Sequence, residues 1–114
     1  MAHPYEVGEV EARACIADMV SRIVEGFSPL KVILFGSYAR GDASRDSDVD
    51  LLVVLPEVGN KRETTVRIRR ALADALLPKD IVVTTPAEIE QRGDVIGTVL
   101  RPALREGKVL YERG

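Results

Sequence analysis

Three short apolar runs decide what this chain can become. Residues 30–35 (LKVILF), 49–55 (VDLLVVL) and 80–84 (DIVVT) are mostly β-branched or aliphatic at successive positions. Runs of this length and composition read as strands covered on both faces. The segments between them carry helical spacing. Val10, Ala14, Ala17, Val20, Ile23, Val24 and Phe27 recur largely by threes and fours, which predicts a helix over 5–25 that buries this stripe and is stopped by Gly26 and Pro29. Ile68, Ala71, Leu72, Ala75 and Leu76 mark one face of a second helix over 61–77, with arginines on the others. Thr85-Pro86-Ala87-Glu88 has the form of a capping box with proline at the first helical position. A further helical stretch, 95–105, should bend or break at Pro102. Gly107 is placed to cap it before a last edge strand over 108–111. The expected fold is α/β, of the α+β kind: a small mixed β-sheet of three to four strands flanked by helices.

With 114 residues, one domain spanning 1–114 is expected. Hydrophobic residues make up 46% and charged residues 30%, which suits a soluble chain and is too apolar for a disordered one. A net charge of −2 gives no global attraction to nucleic acid or to an anionic membrane. No apolar run approaches the ~20 residues a bilayer requires. The first residues, Met1-Ala-His-Pro-Tyr-Glu, lack the basic-then-apolar order of a secretory leader. A cytoplasmic location without a membrane partner is therefore expected. One cysteine, Cys15, and one histidine, His3, form no internal disulfide and cannot build a zinc site. A metal site in this chain would use oxygen ligands.

The chemistry concentrates in residues 32–54. After the first strand, Gly36-Ser37-Tyr38-Ala39-Arg40-Gly41 suits a tight turn opening into a short helix. Such a turn presents free backbone N–H groups and the positive end of a helix at Gly36 and Ser37, an arrangement that favours phosphate. Gly36 lets backbone come close to a ligand, and the Ser37 hydroxyl can add a hydrogen bond. Taken alone, the same residues serve equally to turn the chain and cap a helix. The loop is not a Walker A motif, because Asp42 and Ala43 stand where Lys and Ser or Thr would follow Gly41, and the Gly-x-Gly-x-x-Gly dinucleotide fingerprint is absent. Asp48 and Asp50 lie two apart at the start of the second strand, so both carboxylates project to one side. Paired anions repel unless a cation lies between them, and a hard ion such as Mg²⁺ suits them; a solvated acidic loop is the alternative. A calcium loop beginning at Asp46 fails, since Leu51 stands where its sharp turn needs glycine. Asp80, at the start of the third strand, would complete a trio if that strand lies beside the second with Asp80 level with Asp50. Three carboxylates, a metal pair and a phosphate-binding turn are the parts of two-metal transfer at phosphorus.

Gly36-Ser37-x-Ala39-Arg40-Gly41 followed by Asp48-x-Asp50 on an apolar strand resembles the signature of the polymerase β-type nucleotidyltransferase superfamily. The short length resembles its minimal members, the MNT-domain proteins, commonly the antitoxin half of a HEPN/MNT toxin–antitoxin pair. The resemblance implies a nucleotidyltransferase fold in which Gly36 and Ser37 hold the β- and γ-phosphates of ATP. It implies that Asp48 and Asp50 bind two Mg²⁺, that Asp80 is the third acid and metal ligand, and that Arg40 touches phosphate or braces the loop. The activity implied is transfer of AMP from ATP to a tyrosine hydroxyl of a HEPN-domain toxin. Two other readings remain open: a non-catalytic module that neutralises its partner by covering it, and a transferase acting on a small molecule or an RNA end. Arg62, Arg67, Arg69 and Arg70 could face RNA, but a solvated helix face accounts for them, and aromatics for base stacking are missing there. Cys15 is expected in the core, Tyr38 is expected to pack against the sheet, and His3 is given no role.

Overall fold

The N-terminal stripe becomes α1 (Glu9–Phe27), and the three apolar runs become β1 (Lys31–Phe35), β2 (Val49–Val54) and β3 (Lys79–Thr84). Between the strands lie α2 (Ser37–Arg40) and α3 (Lys61–Ala71), and α4 (Pro86–Arg92), α5 (Leu100–Glu106) and β4 (Lys108–Glu112) complete the order. The computed structural model describes residues 9–44, 46–93 and 100–114. Residues 5–8 and 95–99 of the expected helices, with His3, lie outside the described residues, and α5 is helical on both sides of Pro102. Among the described residues no helix is long and apolar enough to cross a membrane.

The four strands form one mixed sheet in the order β3-β2-β1-β4. β1 is antiparallel to both β2 and β4, while β2 and β3 are parallel and joined through α3. Alternation along the strands sends side chains to two separate cores. Val32, Leu34, Leu51, Val53, Ile81 and Val83 meet Ile16, Met19 and Ile23 of α1 and Ile68 of α3. Ile33, Phe35, Leu52 and Val54 meet Leu100 and Ala103 of α5 on the opposite face. This is why the runs lack the polar alternation of a half-exposed strand.

Caps explain the helix boundaries. The Asn60 side chain accepts from Glu63 N at 2.9 Å to start α3, and the Thr85 hydroxyl accepts from Glu88 N at 3.2 Å to start α4, as the capping-box spacing predicts. The Glu88 carboxylate does not reach back to complete the box. It accepts instead from Thr84 Oγ1 at 2.5 Å and from Lys61 Nζ at 2.7 Å, tying the ends of β3 and α3 together.

Two expected stripes are corrected. Val10 is 76% exposed, and Ala14 and Ala17 also face solvent; of the expected stripe α1 buries Val20 and Ile23, joined by Ile16 and Met19 in place of the first three. Alanines carry little apolar area, so the larger side chains on the neighbouring face set the helix's rotation. The second helix stops at Ala71 rather than continuing to residue 77. The chain turns there so that Leu72 and Leu77 are buried, Leu76 is left exposed and Ala71 faces outward. Lys79 Nζ donates to the carbonyls of Leu72 and Ala75 at 2.8 and 3.3 Å, and the Leu72 carbonyl also accepts from the Ala75 amide at 2.9 Å, so the turn that ends the helix is tied to the start of β3.

Candidate active site

Because β1 runs against β2 and β3, the C-terminal end of β1 lies level with the starts of the other two. Phe35 is the register partner of Asp50, and Asp50 is in turn the partner of Asp80. Partners across neighbouring strands point to the same face. On β2 the core position Leu51 faces α1 and α3, so Asp50 faces the other way with Leu52; on β3, Ile81 and Asp80 divide likewise. The two acids therefore stand side by side on the α5 face. Asp48 lies just before β2, near enough for its charge to act on Asp50.

The turn after β1 closes directly onto this acid pair. Gly36 has φ +74° and ψ −155°, a conformation open in practice to glycine alone. A Cβ at this position would overlap Asp50 Oδ2 and stand 3.1 Å from its Cγ. The missing side chain is thus the space that the Asp50 carboxylate occupies. The Ala39 and Arg40 amides both donate to the Gly36 carbonyl at 3.1 Å, which leaves the amides of Ser37 and Tyr38 without an intrahelical acceptor. Gly36 itself is the N-cap and has no side chain to offer, so the Ser37 hydroxyl does not serve as the helix cap. α2 is a single turn, and the attraction for phosphate expected at this point rests on local N–H groups more than on a helix dipole. At its far end Gly41 is left-handed, φ +84°, and its N–H donates to Ser37 O at 3.0 Å.

The electrostatics follow from this crowding. Partial burial pushes the Asp50 carboxyl above the usual carboxylate range, and the negative charges of Asp80 and Asp48 push it further; Arg40 pulls the other way. Arg40 Nε also bonds Asp42 Oδ2 at 3.3 Å, bracing the loop that leads to Asp48. Burial, followed by the charges of Cys15 and Asp48, raises the Tyr38 hydroxyl above its ordinary value. Tyr38 and Cys15 are both partly buried against the α1 core, in accord with a packing role.

The site residues expected from sequence are therefore divided. Asp50 and Asp80 are brought together by backbone register and Gly36 by the turn that closes onto Asp50, with the charges of Asp48 and Arg40 acting on Asp50. Among the described residues no group of three Asp, Glu, His or Cys side chains is already arranged to hold one ion. The donor chemistry nonetheless fits a hard divalent cation: all donors are oxygen, and Asp50 is ionised only against the repulsion of its neighbours. Sequence reasoning missed Arg69, whose Nη2 lies 3.1 Å from Asp80 Oδ1. No local signal marks it among the arginines of α3; only the placement of α3 against β3 does so.

The sequence profile of the nucleotidyltransferase domain family matches residues 16–108. A protein of Methanocaldococcus jannaschii named as a candidate protein adenylyltransferase is 31% identical over 87 residues, covering 74% of this chain and 59% of that protein. The chain thus spans less than two thirds of that relative's length. A crystal structure of a candidate nucleotidyltransferase from Sulfolobus solfataricus superimposes with a TM-score of 0.64 at 20% identity, over 91% of this chain and 83% of the other. A toxin–antitoxin structure with AMP-PNP gives 0.54 at 22% identity, over 85% and 73%. At these identities the structural likeness is one of fold. The profile match, in contrast, runs from the middle of α1 to the start of β4 and takes in the glycine turn and all three acids, so the chain belongs to the nucleotidyltransferase domain family.

Proposed function

We propose that this chain transfers a nucleoside monophosphate, AMP from ATP in the first instance, to a hydroxyl of a protein acceptor. The acceptor in this reading is a tyrosine of a cognate HEPN-domain toxin, which makes the chain the antitoxin of the pair. The observation that carries the proposal is the register of Asp50 with Asp80, combined with the closure of the Gly36 turn onto Asp50. It brings the glycine turn, which in this reading takes phosphate, beside acids whose mutual repulsion a cation would relieve. The naming of the Methanocaldococcus relative as a candidate protein adenylyltransferase and the fold shared with a toxin–antitoxin structure with AMP-PNP support the reading.

In this mechanism Gly36 and Ser37 hold the β- and γ-phosphates through the turn's N–H groups and the Ser37 hydroxyl, while Arg40 adds positive charge. The acceptor oxygen forms a new bond to the α-phosphorus. The bond from that phosphorus to the oxygen bridging the β-phosphate breaks, and pyrophosphate leaves. The hydroxyl proton passes to Asp80 and from there to solvent. Asp48, Asp50 and Asp80 would hold two Mg²⁺, whose chemistry when bound is to acidify the attacking hydroxyl and neutralise the leaving pyrophosphate. The acceleration is positional and electrostatic, with no covalent intermediate on the protein.

The test is incubation with Mg²⁺, candidate partner protein and ATP labelled at either the α- or the γ-phosphate. Label from the α-position should appear on the partner. It should vanish in the double variant Asp48→Asn, Asp50→Asn while partner binding persists. Label from the γ-position would identify a kinase. Full neutralisation of the partner by the double variant would identify a binding module.

A further inference from the structure

Four arginines of α3 look interchangeable in sequence, but the fold treats them differently. α3 is rotated to bury Ile68 completely, and Leu72 just beyond its end is likewise fully buried, which fixes where each intervening side chain points. Arg67 is placed over the Phe27 ring, 5.8 Å from its centroid, back toward α1. Arg69 goes the other way. Among the described residues β3 is an edge strand of the sheet, with no further strand between α3 and the outer side of Asp80. Arg69 Nη2 reaches Asp80 Oδ1 at 3.1 Å around that edge. Asp80 consequently has the acid partner Asp50 on one side and a guanidinium on the other.

From this juxtaposition we infer that Arg69 is a positioning residue for Asp80: it supplies the counter-charge of the acid cluster until a divalent cation binds, and gives up Asp80 to that cation. The inference rests on the proposed reading of Asp48, Asp50 and Asp80 as a metal site. Its physical basis is competition for one anion. A half-exposed carboxylate bonded to a guanidinium is a poorer ligand than an unbonded one, because the cation must first loosen that bond. A second consequence concerns metal-free protein: the bond holds the start of β3 to α3 at the point where Asp80 and Asp50 repel.

The experiment measures Mn²⁺ affinity alone, without nucleotide or acceptor, by the electron paramagnetic resonance signal of free Mn²⁺. Four chains are compared: wild type, Arg69→Gln, Asp80→Asn and the double variant, with Arg69→Lys as a charge-retaining control. Arg69→Gln should tighten Mn²⁺ binding about two- to five-fold, the range of a half-exposed ion pair. The same change should have no effect in the Asp80→Asn background, and Arg69→Lys should stay near wild type. Equal tightening in both backgrounds would mean a diffuse charge effect and would overturn the inference, as would weaker or unchanged binding in Arg69→Gln. If wild-type protein shows no Mn²⁺ binding sensitive to Asp48→Asn with Asp50→Asn, the metal reading itself fails and the role of Arg69 with it.

Discussion

Gly36→Ala separates the backbone requirement of the turn from its fit against Asp50. The first cost is conformational. At φ +74° and ψ −155° an L-alanine is strained by about 1–3 kcal/mol. The second cost is steric, because the added methyl overlaps Asp50 Oδ2. Overpacking of this kind adds about 1–3 kcal/mol if the carboxylate stays in place. The expected loss is therefore about 2–6 kcal/mol in urea unfolding, with an unchanged slope. Removing the obstructing side chain tests the assignment: in an Asp50→Ala background the same substitution should cost the strain alone. The double-mutant cycle should then show a coupling of at least about 1 kcal/mol between positions 36 and 50. A loss below about 0.5 kcal/mol in the single variant, or a coupling near zero, would refute the claim that the glycine exists to make room for the acid.

Asp50→Asn should stabilise the protein in the absence of divalent ions. Like charges on directly opposed strand residues cost about 0.2–1 kcal/mol, which corresponds to a rise in Tm of a few degrees. The sign follows from the raised carboxyl of Asp50. The folded state binds that proton more tightly than the unfolded state, so the contribution to stability is full below the ordinary Asp range and is lost as pH rises through the raised value. The gain from Asp50→Asn should accordingly appear at neutral pH and shrink in acid; a gain that grows in acid would contradict it. Glu88 behaves in the opposite sense, since hydrogen bonds from Lys61 and then Thr84 hold its carboxyl below the usual range. Glu88→Gln should cost about 0.5–1 kcal/mol at neutral pH, and the difference from wild type should fade as pH falls from the ordinary Glu range through the lowered value of this carboxyl, read from denaturant midpoints across pH. Leu72→Ala should cost about 2–5 kcal/mol by calorimetry, because the side chain is fully buried.

The strands were legible because residues buried on both faces leave unbroken apolar runs, as in LLVV of β2. The Asp48-x-Asp50 pair was legible because a strand's period is local. Asp80 was legible only as a conditional member, supplied by the family resemblance, since the parallel register of β3 with β2 is what brings it level with Asp50, and register is a long-range property. Arg69 was illegible for a related reason: its role depends on β3 being an edge strand. The misread face of α1 shows a different limit. Counting Val10, Ala14 and Ala17 as apolar satisfied the helical period, yet burial follows side-chain area, and Ile16, Met19 and Ile23 carry more of it.

The proposed transfer requires the acids starting β2 and β3 and the turn ending β1 to form one cation-dependent site. Paramagnetic broadening of backbone amide signals by sub-stoichiometric Mn²⁺ tests it most directly. The amides of Gly36, Ser37, Asp48, Asp50 and Asp80 should broaden together, and Asp48→Asn with Asp50→Asn should abolish the effect. Broadening centred elsewhere, or persisting undiminished in the double variant, would contradict it.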